Sequence, residues 1–364
     1  MPEQLIDHKI IFAFKSMARD KYKKSALVFS ALPCGHTYEI GYDPALYVAE
    51  PIIEMYKRTP DELKRTDVYV FLGWYSAESK EEFEELRIYP IRKAKIIDFR
   101  MEEKFYITLK AEEYLAYEDS EDCTKEIIEK IGRKNLPGKK GKFITFGTAL
   151  KSVRLAEANH FANVWTHLIR DLAQLPESKN TAFWRVTHLM TEDQRDLLGE
   201  WRKLNIAKGY GVQPGKNYSL MLSFFFPLAD SGGRNELELL VVADDNLVRV
   251  QGSKTINMRG RIDSKGIVFT CSKIKENIKT SLAINCNNAQ DNYETPEINI
   301  PLCIEAPTAR ENALKFLLIM LFFAGLFIPY LPQLTNALVG LPAEVRSFLS
   351  IIGPFLPTIG TGIT

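Results

Sequence analysis

The sequence predicts an α+β protein with four parts: an N-terminal β-rich α+β domain, a central helical block, an antiparallel β-sandwich and a C-terminal transmembrane hairpin or helix. Three observations predict it. Short β-branched and aromatic runs, separated by polar or Gly/Pro breaks, fill residues 1–117 and recur from Asn217 to Ile304. Between them, apolar residues return at spacings of three and four. From Phe316 to Ala343 there is no Asp, Glu, Lys or Arg, although 26% of the whole chain is charged.

The chain has 364 residues and a formal net charge of +1. Its length suggests two or three domains ahead of the tail, and its charge gives no global bias towards nucleic acid. The composition shifts place boundaries at 1–118, 119–210, 211–307 and 308–364. Glu3, Asp7 and Lys9 occupy the positions where a secretory signal carries its apolar core, so the bulk of the chain is expected to stay in the cytoplasm. The five cysteines are scattered, with no CxxC pair, which fits reduced thiols.

In the first domain, Ile10–Phe14, Ala26–Leu32, Tyr38–Tyr42, Val68–Trp74, Ala94–Arg100 and Phe105–Lys110 read as strands, with helices at Ala45–Lys57, bent at Pro51, and at Lys80–Leu86. Such a mixture suits a compact or small barrel-like domain. In the central block, Ser120–Ile131 reads as a helix. So does Ser152–Leu175, where Phe161, Trp165, Leu168, Ile169 and Leu172 form an apolar stripe ended by Pro176. Thr191-Glu-Asp-Gln194 matches a capping box and predicts a third helix, to about Leu204. The sandwich strands are Ser219–Phe226, Glu236–Ala243, Leu247–Val250, Gly266–Cys271, Ser281–Asn285 and Glu297–Ile304.

The tail is expected to have lipid as its solvent. Ala313–Leu331 would span about 28 Å as a helix, close to the roughly 30 Å hydrocarbon core. Lys315 can extend its amine to headgroups, Phe316, Phe322 and Phe323 face lipid, and Pro329 ends or kinks the span. The second stretch contains Phe348, Pro354 and Pro357 and reads as a crossing, re-entrant or interfacial segment. Backbone groups freed around the two prolines need a partner copy or a watery lumen, which points to a homo-oligomer in a lipid bilayer.

Chemistry-bearing motifs are weak. Lys130, Arg133, Lys134, Lys139, Lys140 and Lys142 form a basic run without acids, suited to an anionic surface, an anionic ligand or a partner protein. Its glycines are misplaced for a phosphate loop. Asp98, Glu102 and Lys104 offer part of a nuclease-like metal site on a hairpin. Asp244-Asp245-Asn246 offers oxygens to a cation, Cys34-Gly-His36 a thiol and a base, and His167 with Asp171 a helix-surface pair. Turns, ordinary ion pairs and local structure account for each of these better than chemistry does. There is no GxSxG, HExxH or dinucleotide fingerprint, and neither a metal nor another cofactor is expected.

The expected function is therefore a membrane-anchored cytoplasmic sensor or effector whose tail perturbs the bilayer on activation. The layout is similar to that of membrane effectors in bacterial antiviral systems, in architecture and not in matching residues. A membrane-tethered adaptor and a membrane-anchored nuclease are the alternatives.

Overall fold

The computed structural model describes residues 9–16, 27–74, 86–132, 142–178, 181–203, 208–225, 236–259, 262–286, 297–307 and 316–323. The chain is mixed α+β with several sheets, and it divides into two units, residues 1–305 and 306–364.

The first sheet runs in the order β2 (Thr37–Tyr42), β5 (Phe105–Tyr117), β4 (Arg87–Met101), β3 (Asp67–Trp74), β1 (Ile10–Ser16), β6 (Ile144–Gly147), with β7 (Val153–Leu155) on β5. β1 and β3 are parallel, with Phe12 opposite Tyr69 and Phe14 opposite Phe71. Both faces of β1 are buried, which is why its sequence is a continuous apolar run and not an alternation. The segment after β2 reaches the far edge strand β6. Val48, just beyond β2, bridges Ile144 of β6, with Phe143 N–H donating to Tyr47 O at 2.8 Å and Ala49 N–H to Ile144 O at 2.9 Å. Among the described strands Thr37–Tyr42 itself pairs only with β5, so this contact is made by the segment that follows β2 and not by β2.

That bridge also explains why residues 45–57 are not one helix. They form two, Pro44–Tyr47 and Glu50–Arg58, and Val48 between them is spent on the sheet. Pro51 sits in the first turn of the second helix, where its missing N–H costs nothing. Residues 27–31, expected as a strand, are helical. The Ser30 hydroxyl donates back to Leu27 O, and a buried arginine takes the Leu32 carbonyl just beyond the helix end.

The expected central helical block proves to be two helices among strands. Ser120–Ile131 is capped by Asp119, and Phe161–Ala173 starts nine residues later than expected because Val153–Leu155 is the short strand β7. Both helices bury their stripes in the same apolar cluster as the first sheet, so they are walls of that core. The third helix is absent from its expected place. Thr191 ends β8 (Phe183–Thr191), and its carbonyl and hydroxyl accept from Gln194 N–H and Arg195 N–H in a turn with Gln194 at φ 61°. Asp196, not Thr191, then caps a short 3-10 turn, Leu198–Lys203, by accepting from Leu198 N–H.

Two further sheets follow. One has the order β12 (Val248–Gln251), β14 (Ile262–Cys271), β10 (Asn217–Phe225), β8. The other runs β13 (Thr255–Arg259), β11 (Glu236–Val242), β15 (Ile278–Cys286), β16 (Ile298–Ile304), β9 (Tyr210–Val212). Inward residues of both, among them Leu220, Phe269, Leu239 and Ile300, share one buried cluster. The pairing is antiparallel except for β9 on β16. The other face of the four-stranded sheet turns to the first core, because Phe183 of β8 and Phe225 of β10 are buried in that first cluster.

In the second unit, residues 316–323 are helical. No helix among the described residues is long and apolar enough to cross a membrane. Lys315, Pro329, Phe348, Pro354 and Pro357, singled out in the expected tail, lie outside the described residues, as do residues 80–85 of the expected second helix.

Candidate functional site

Where the four-stranded sheet meets the first core there is a cavity of about 440 Å³. Its floor is a row of side chains on the outer face of that sheet. Arg185 of β8 lies opposite Ser223 of β10, and Ser223 lies opposite Ser264 of β14. A register irregularity beside Leu222 leaves Thr187 out of the ladder and turns it to the same cavity. The opposite wall comes from Leu32–Cys34, Arg92 of β4, Tyr114 of β5 and the start of the Phe161–Ala173 helix. Leu198 and Trp201 close one side.

Two guanidinium groups dominate this space. Arg92 is fully buried, and its donors are spent: Nε and Nη2 reach the Glu112 carbonyl at 3.1 and 2.8 Å, Nη1 the Leu32 carbonyl, and Nη2 also the Cys34 sulfur at 3.0 Å. It lies 4.2 Å from the Tyr114 ring. Arg92 therefore holds the end of the 27–31 helix to β5. Arg185 is different. It is 7% exposed, its Nε has no hydrogen-bond partner, and no carboxylate pairs with it among the described residues. Its contacts are the faces of Trp165 at 5.0 Å and Tyr114 at 5.7 Å.

Asp196 is the acid on the cavity wall, and it is already committed. It accepts from His188 Nδ1 at 2.9 Å and from the Leu189 and Leu198 N–H groups at 3.0 Å each. Beside the cavity, the neutral His36 ring meets the Tyr210 hydroxyl at 2.9 Å, joining the first module to β9. Burial lowers its pKa to about 4, helped by the Arg92 charge, while the Asn299 main chain acts the other way.

Of the described chemistry-bearing residues that sequence reasoning singled out, Cys34 lines this cavity. Its thiol donates to Glu112 O at 3.2 Å, and burial raises its pKa despite Arg92, so it is neither ionised nor aimed at His36. Of the basic run, Lys130 is held by Glu126 at 3.6 Å, Thr148 at 3.1 Å and the Ala149 carbonyl. Lys142 is held by the Ala45 carbonyl at 2.9 Å. Arg133, Lys134, Lys139 and Lys140 lie outside the described residues. Asp98 faces Lys64 at 3.7 Å, and Glu102 pairs with Arg100 at 3.0 Å, its N–H closing the turn on Lys104 O. Asp244 closes a turn on Asn246 N–H, and Asp245 pairs with Lys254 at 2.6 Å. His167 is 3.8 Å from Asp171, whose carboxylate accepts from Tyr117. Among the described residues, no group of three or more His, Cys, Asp or Glu side chains is placed to hold a metal ion.

Arg185, Ser223 and Ser264 belong to no motif. The available signal is an arginine inside an otherwise apolar strand, Phe183-Trp-Arg-Val186, with no acid beside it.

Fold and cavity thus define a mixed α+β protein with a cationic cavity. No protein-family model matches the chain, and no curated protein matches it. Among solved structures it is similar to the secreted serine protease VesC from Vibrio cholerae, at 12% identity and a TM-score of 0.18. The match covers 63% of this chain and 62% of that one. At that score the likeness carries no argument about fold or activity.

Proposed function

We propose that the chain is a membrane-tethered sensor and effector. Residues 1–305 form the sensing head, on the cytoplasmic side, and the apolar tail enters the bilayer as a homo-oligomer and perturbs it on activation. The observation that carries this reading is the exposure of residues 316–323. Phe316, Leu317, Leu318, Ile319, Met320, Phe322 and Phe323 are each 48–65% exposed. Eight helical residues make just over two turns, so these side chains point in every direction around the axis. A helix that is apolar all round has either a protein core or lipid around it. None of these seven side chains is buried. Leaving such side chains half in water costs on the order of 1 kcal/mol each, which a bilayer removes. The similarity in layout to membrane effectors of bacterial antiviral defence supports the effector role by analogy alone.

The experiment is dye release from liposomes by the full chain and by a chain ending before residue 313. The reading expects leakage from the first, enhanced by crowding on the membrane, and none from the second. No leakage at any protein density overturns the effector role. If an unrelated transmembrane helix in place of residues 313–364 preserves function in cells, the tail is a passive anchor and the head an adaptor.

A further inference from the structure

We infer that the cavity floored by Arg185 binds a small organic oxyanion, a carboxylate or phosphate group carried on an apolar or aromatic body. Arginine keeps its charge when buried, and an unpaired buried cation is costly. The aromatic faces of Trp165 and Tyr114 return part of that and no more. Nε of Arg185 is left without a partner at the edge of a void large enough for a ligand. Natural proteins seldom leave such a group unmet, and this one, unlike the Lys15 amine in the first core, borders a void that a ligand can enter. The neighbours match an oxyanion. Ser223 and Ser264 stand in line with Arg185 across the sheet and offer hydroxyls. Ser264 donates to Leu222 O at 3.0 Å, whereas the Ser223 hydroxyl has no partner among the described residues. Arg92 adds positive potential from the far wall, and the nearby carboxylate of Asp196 is already saturated. Phe161 and Trp201 supply the apolar surface for the body of the ligand. A bidentate guanidinium contact in a half-enclosed site is the geometry by which arginine selects planar and tetrahedral oxyanions over other ligands.

This names the ligand class of the head in the reading above, and its readout needs no membrane, so either can fail while the other stands. The test is calorimetric titration of the full chain in detergent with benzoate, phenyl phosphate, inorganic phosphate and the neutral benzyl alcohol. Benzoate or phenyl phosphate should bind and raise the melting temperature, more strongly than inorganic phosphate, and benzyl alcohol should do neither. Arg185→Gln should weaken binding at least tenfold. Should that variant not fold, Ser223→Asp serves instead: it puts a carboxylate against Arg185 and should abolish oxyanion binding while leaving the arginine in place. A carboxylate-selective or a phosphate-selective response decides between the two headgroups. Absence of binding by all three anions, or binding untouched in Ser223→Asp and in any folded Arg185→Gln, overturns the inference and leaves Arg185 as a bridge between aromatic rings.

Discussion

His36 makes the junction between the first module and β9 sensitive to acid. The ring is buried and neutral, bonded to the Tyr210 hydroxyl at 2.9 Å, and its pKa falls from 6.5 to about 4. A lowered histidine pKa means that the unfolded chain binds the proton first as pH falls. The stability contributed by the neutral ring is whole above about pH 6.5 and is lost progressively towards pH 4. The full swing is about 3 kcal/mol, and about 2 kcal/mol of it is gone by pH 5. Urea unfolding of the wild type at pH 7.5 and pH 5 should show that loss on top of whatever the carboxylates contribute. His36→Gln keeps a polar partner for Tyr210 but cannot take up the proton. Its midpoint should therefore fall less between the two pH values, by an amount equivalent to about 2 kcal/mol. Equal pH dependence in the two proteins would refute the reasoning, because the ring would then titrate alike folded and unfolded. Tyr210→Phe supplies the control for the contact itself: the cost of that substitution should be about 1 kcal/mol at pH 7.5.

Two further outcomes test the first core. Lys15 is fully buried, its amine has no hydrogen-bond partner among the described residues and lies 4.8 Å from the Tyr42 ring, and burial holds its pKa well below the usual value. Lys15→Met should stabilise the fold by about 1–3 kcal/mol at pH 7. It should also flatten the rise in stability that the wild type shows towards pH 10, and a destabilised variant would show that the amine has a partner after all. At Gly147 an added Cβ would sit 2.4 Å from the buried Phe12 ring, so Gly147→Ala should cost about 1–3 kcal/mol, read as a lower denaturation midpoint.

What could be read from the residues follows the range of the interactions that decide each element. Most of the strands in the expected sandwich were legible because their apolar residues alternate and their connections carry turn residues. Leu239 and Val241, placed on one face by that alternation, are both buried in the two-sheet cluster. The mixture of strands and helices in the first domain was legible from its short β-branched and aromatic runs. The register of its sheet was not, since the Val48–Ile144 bridge joins residues far apart in the chain. Local signals misled where a tertiary partner outweighed them. Residues 27–31 carry strand-forming types, yet Arg92 takes the carbonyl beyond their helical end. Thr191 to Gln194 match a helix cap in sequence, yet Asp196 supplies the cap because β8 must end and turn first. Propensity is worth tenths of a kcal/mol per residue, and a buried guanidinium or carboxylate network is worth several times that.

The cavity was illegible for the same reason in stronger form. Arg185, Ser223 and Ser264 meet only through strand register, and Arg92 and Tyr114 reach them from a different core. No spacing rule connects such positions, so sequence reasoning looked for charge in the basic run instead. The described ends of that run, Lys130 and Lys142, are tied to main-chain carbonyls. A cation already bonded to the fold has little left for a ligand, whereas a single buried one without a counter-charge retains most of its attraction in a low-dielectric setting. An oxyanion seated on Arg185 would contact β8 and β10 of one layer and stand against the aromatic wall of the other. Ligand at this cavity and neutral pH at the His36–Tyr210 contact to β9 should therefore each stabilise the head, through contacts to different sheets.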